Sequence, residues 1–81
     1  MEASFSTLIT SIAEAALVHL GFIKNPQTQA EEKNLELAQV NIDLLVLLKD
    51  KTKGNLSEEE ANLLNAITTD LQLKFVQAKS K

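Results

Sequence analysis

The amino-acid sequence predicts an all-α protein, either an antiparallel three-helix bundle or a helical hairpin with an added N-terminal helix. Apolar residues recur at three- and four-residue steps along three segments, which is the period of an α-helix. A turn with clear stop and start signals separates the second segment from the third. The 81 residues suffice for one small domain, 1–81, with helices expected at about 4–20, 28–53 and 58–78.

The first segment has good signals at both ends. Ser4 is a suitable N-cap, and Gly21 can adopt the left-handed conformation that closes a helix. Its apolar stripe comprises Phe5, Leu8, Ile9, Ile12, Ala16, Leu20 and Ile23. The opposite face comprises Thr7, Thr10, Ser11, Glu14, Leu17 and Val18. Because a solvent-facing helix usually carries more than one formal charge, this face is expected to be central in the fold or to meet another protein.

The connection to the second helix allows two starting points. Asn25-Pro26 is a turn signal, and Thr28 with Glu31 has the spacing of a capping box, so we place the helix start at residue 28. Asn34 is itself a good N-cap and gives the competing start.

The second helix is apolar on two faces. One face comprises Leu35, Ala38, Ile42, Leu45 and Val46, and the other comprises Leu37, Val40, Leu44, Leu47 and Leu48. A helix that is apolar on two sides has to be buried on two sides, whereas a lone small bundle leaves each helix one broad wet face. We therefore predict a homodimer. The expected interface residues are Phe5, Leu8, Ile12, Leu17, Val18, Leu37, Val40, Leu44, Leu47 and Leu48.

Residues 49–60 indicate the end of one helix, a reversal and the start of the next. Three lysines, at positions 49, 51 and 53, suit a helix C-terminus, and Gly54 can close it. Ser57 and Glu60 have the spacing of a capping box. The third helix carries the stripe Leu64, Ile67, Leu71, Phe75 and Ala78, with Leu73 and Val76 toward its back.

Composition narrows the classes of function. The absence of Cys removes disulfides, thiolate catalysis and cysteine-based zinc sites. A net charge of −3 argues against a nucleic-acid partner. Residues 3–23 are apolar-rich, but no basic residue precedes them and Glu14 and His19 interrupt them, so we expect neither a secretory signal nor a membrane-spanning helix. The sequence favours a soluble, cytoplasmic protein.

Candidate sites are few. His19 is the only histidine, and because its helical neighbours are apolar it is expected to pack or cap rather than catalyse. A metal site from His19 with Glu14 or Asp43 matches no known ligand spacing. Asn34 and Asn41, seven residues apart, either border solvent or set the register of a helical interface. We predict no catalytic, metal-ligating or cofactor-binding residue and no cofactor; an enzyme would need His19 and Asp43 to converge in one pocket.

The leading hypothesis is a non-enzymatic structural or protein-interaction module that acts as a homo-oligomer. If the chain is a monomer, the same apolar faces should bind a partner helix of another protein. The alternative is a peripheral membrane protein that uses its first helix, although interfacial helices usually carry Lys or Arg and this helix has none. Membrane binding is therefore not favoured.

Several blocks resemble a small bacterial family. They are Phe5-Ser-Thr-Leu-Ile, Ala16-Leu-Val-His-Leu-Gly21, Asn25-Pro26, Ile42-Asp-Leu-Leu, Lys51-Thr-Lys-Gly-Asn-Leu-Ser57 with Glu60, and Phe75-Val76. Together they are similar to the domain of unknown function 1844. The resemblance implies a short, helical, cytoplasmic bacterial protein and brings no activity, ligand or catalytic residue with it. The loop after Pro26 departs from the family, because relatives often carry a Gly where this chain has Gln29-Ala30.

Overall fold

The computed structural model describes residues 3–80; Met1, Glu2 and Lys81 lie outside the described residues. Within 3–80 the chain forms α1 at Phe5–Leu20, α2 at Leu35–Lys51 and α3 at Glu58–Lys79, and no strand. Each helix packs against the other two. The predicted all-α fold with three helices is confirmed.

Both predicted caps of α1 are present. The Ser4 hydroxyl accepts a hydrogen bond from the Thr7 amide at 3.0 Å. Gly21 has a φ of 85°, and its amide donates to the Val18 carbonyl while the next amide, of Phe22, donates to the carbonyl of Leu17. These paired bonds form a Schellman motif, which ends the helix sharply. The apolar stripe therefore stops at Leu20, and the expected inclusion of Ile23 is wrong because that residue follows the cap and is exposed.

The turn after α1 shows why α2 does not begin at Thr28. The Asn25 side chain accepts from the Gln27 amide at 2.8 Å, and Gln29 has a φ of 61°, a conformation that breaks a right-handed helix. The Thr28 hydroxyl donates to the Glu32 carboxylate at 2.6 Å instead of capping a helix. The start at residue 28 is wrong.

Asn34 is the N-cap of α2, as the competing prediction had it. Its side-chain oxygen accepts from the Leu37 amide at 3.1 Å. Its own amide donates to the His19 carbonyl at 2.7 Å. Because the last carbonyls of a helix have no partner within it, this bond satisfies one of them and ties the start of α2 to the end of α1.

The turn between α2 and α3 follows the sequence signals closely. α2 ends at Lys51, two residues before the expected boundary at 53, and Gly54 has a φ of 85°. The Glu60 amide donates to the Ser57 hydroxyl at 3.1 Å, and the Ser57 amide donates to the Glu60 carboxylate at 2.9 Å. The predicted capping box is confirmed, and it pairs the amides of Ser57 and Glu60 at the start of α3.

The core lies between the three helices. Its buried apolar side chains are Ile9, Ala13, Ala16, Leu20, Ala38, Ile42, Leu45, Leu64, Leu71 and Ala78. α2 contributes only one face, so the expected placing of Val46 on that face is wrong; its side chain is exposed. Thr68 is buried with its hydroxyl donating to the Leu64 carbonyl at 2.6 Å, which leaves no unpaired polar atom at that position.

The grooves between helices give their relative directions. Residues 39–43 of α2 line one groove with 72–76 of α3, and the other end of α2, at 49–50, lies beside 61–65. α2 and α3 therefore run in opposite directions. The end of α1 lies beside the end of α3, where Leu20 and Ala78 line a common depression and the Lys74 ammonium lies 5.9 Å from the Phe22 ring centre.

Candidate interaction surface

The most prominent surface feature is a line of apolar side chains on the outer side of α2. We call Leu37, Val40, Leu44 and Leu47 the outer stripe. Their steps of three, four and three residues are those of the a and d positions of a heptad. Each side chain is between 41% and 51% exposed, although the same helix buries Ala38, Ile42 and Leu45 in the core. α2 is thus apolar on two sides, as predicted, and only one of them is covered within the described chain.

A hydrogen bond between α1 and α2 marks the border of the outer stripe. The Nδ1 atom of His19 lies 2.9 Å from the Asn41 side-chain oxygen, and because that oxygen can only accept, Nδ1 carries the proton. Asn41 is four residues after Leu37 and three before Leu44, so the outer stripe lies against this junction. The polar pair therefore fixes how α1 and α2 meet at the edge of the apolar surface.

Periodicity extends the apolar surface onto α1. Leu8, Ile12 and Ala15 precede His19 by eleven, seven and four residues, so they lie on the same side of α1 as His19. Leu8 is exposed, and Ile12 packs partly buried against the core. We call this line with His19 the α1 edge; it carries no carboxylate.

Acidic residues border the outer stripe on its other side. Glu36, Asp43 and Asp50 recur every seven residues and are all exposed; we call them the acidic line. Asp43 lines the groove between α2 and α3, whereas Asn41 faces α1, so the acidic line and the α1 edge lie on opposite sides of the stripe. The surface is therefore apolar in the middle and acidic along one border, whereas along the other border Glu14 lines a depression with Ala15 and His19.

The ten residues predicted for an interface fall into three groups. Five are exposed: Leu8, Leu37, Val40, Leu44 and Leu47. Four pack partly buried against the core: Phe5, Ile12, Leu17 and Leu48. The prediction that Val18 lies at the interface is wrong, because its side chain is only 5% exposed. Val18 lines a depression with residues 25–27, so the turn after α1 covers it.

Other exposed apolar residues were not predicted at an interface. Val46 lies on α2, and Phe22 and Ile23 follow the cap of α1. Leu73 and Val76 are exposed on α3, in agreement with their expected place at its back. A helical wheel separates Leu73 from the core stripe but cannot say whether another element covers it.

The charged groups considered as sites lie apart. His19 lines a depression with Glu14 and Asn25, whereas Asp43 accepts from the Gln39 amide at 2.8 Å and faces α3. The two residues line different depressions. Lys49 and Lys53 line an open depression of about 500 Å³ at the α2–α3 turn together with Asp50, so its charge is mixed.

Comparison with known proteins identifies the family. A family model described as Domain of unknown function (DUF1844) matches residues 2–77. The chain belongs to the DUF1844 family. The match confirms the resemblance drawn from the sequence blocks, and it covers all of α1 and α2 and nearly all of α3. No curated protein and no solved structure matched the chain.

The DUF1844 helices also bear on membrane association. None of the described helices has the length and apolar character needed to cross a bilayer. Within Phe5–Leu20, Leu8 is the only large apolar side chain that is exposed, because the rest of the stripe packs into the core.

Proposed function

We propose that this DUF1844 protein is a non-enzymatic interaction module: an antiparallel three-helix bundle that self-associates through the outer stripe of α2 and Leu8 of α1. The observation that carries the proposal is the exposure of the four heptad-spaced side chains of the stripe on a helix whose other side forms the core. The exposed parts of these four side chains and Leu8 amount to roughly 400 Å², which lies within the range of the largest apolar patch on a typical monomer, a patch that is often functional.

The total surface is larger than that expected for a compact monomer. The chain exposes 5596 Å², whereas a compact monomer of its mass is expected to expose about 4,800 Å². The excess of roughly 800 Å² equals the area that one partner contributes to a standard interface.

Peripheral membrane binding is the weaker alternative. It depends on an apolar surface of α1, yet Ile9, Ala13 and Ala16 of that helix are buried against α2 and α3. The polar side of α1 carries no Lys or Arg to meet anionic lipid headgroups. We therefore favour a protein partner, and a second copy of this chain first.

The test is the mass of the protein in solution. Sedimentation equilibrium at tens of micromolar should give twice the chain mass of 8.9 kDa. Leu44→Glu places a carboxylate in the middle of the outer stripe and should weaken association at least tenfold, because a charge would have to be buried without a partner.

Leu73→Glu is the matched control. Leu73 is an exposed leucine in the interior of α3, away from the stripe, so this variant should keep the dimer mass. Both variants should retain helical circular dichroism, since neither changes a core residue. A wild-type protein that is strictly monomeric at tens of micromolar would contradict self-association.

A further inference from the structure

We draw no further inference here: the strongest candidate, the open depression between the end of α2 and the start of α3, carries nothing, because its two lysines flank a helix C-terminus beside Asp50 and no buried side-chain nitrogen or oxygen of the described residues lacks a hydrogen-bond partner that a ligand would supply.

Discussion

The hydrogen bond between His19 and Asn41 shows how single residues hold this fold together. It joins the last turn of α1 to the middle of α2 in a partly buried position. Asn34 adds a second tie between the same helices through the His19 carbonyl. His19 is thus used for packing and positioning, as expected from its apolar neighbours, and Asn41 sets how α1 meets α2. From the sequence, Asn34 and Asn41 could each set a register or border solvent, and no partner for Asn41 could be named.

A double-mutant cycle measures this bond. His19→Ala and Asn41→Ala should each lower the free energy of unfolding. The loss in the double variant should be smaller than the sum of the two single losses by about 0.5–1.5 kcal/mol, the net contribution of one hydrogen bond. Urea denaturation at fixed protein concentration provides the values. The exposed Gln39–Asp43 pair within α2 is the control cycle and should couple by no more than about 0.5 kcal/mol. Equal coupling energies in the two cycles would show that the interhelical hydrogen bond contributes no more stability than an exposed bond within one helix.

At the scale of elements, the boundaries follow side-chain caps. Ser4, Asn34 and Ser57 each accept a hydrogen bond from an amide in the first helical turn. The sequence offered both Thr28 and Asn34 as starts for α2. The turn at 25–29 decided between them, because the Asn25 side chain and the positive φ of Gln29 hold this segment out of a helix.

Truncation of Asn34 and of Thr28, the two candidate caps of α2, should lower the stability of the protein by different amounts. Asn34→Ala removes the acceptor for the Leu37 amide and should destabilise the protein by about 1 kcal/mol, or lower the melting temperature by about 4–8 °C. Thr28→Ala removes two exposed hydrogen bonds, one to Glu32 and one from the Ala30 amide, and should cost less than about 0.5 kcal/mol. Thermal unfolding followed by circular dichroism compares them. A larger loss for Thr28→Ala would mean that the helix begins earlier than Leu35.

At the scale of the whole molecule, the chain is flat and extended for its length. Its principal extents are 37 × 29 × 16 Å, and its radius of gyration is 12.9 Å, against about 11.7 Å expected for a compact chain of 81 residues. Three helices alone cannot cover both apolar sides of α2 in such a shape. The uncovered side is the outer stripe, which is why we place the partner there.

Self-association predicts that thermal stability depends on concentration. Above the dissociation constant, a tenfold increase in protein concentration stabilises the dimer by about 1.4 kcal/mol, which should raise the melting temperature by about 4 °C. Leu44→Glu should melt at a temperature independent of concentration, and Leu73→Glu should behave as the wild type. Calorimetry over a hundredfold concentration range gives the comparison. A wild-type melting temperature that does not vary would count against association through the stripe.

The sequence by itself determined the elements of this DUF1844 protein. Periodicity and local capping chemistry predicted three helices, the caps at Ser4 and Ser57 and the turn glycines Gly21 and Gly54, because those signals lie within a few residues of one another. Helical spacing also predicted the two apolar faces of α2.

Only the tertiary structure decided which of those faces is covered. It buried Val18 under the turn at 25–27, exposed Val46 and paired His19 with Asn41, since each outcome depends on residues far apart in the chain. It also placed the acidic line and the α1 edge on opposite borders of the outer stripe. Burial and pairing across helices are set by packing, and helical spacing alone does not contain them.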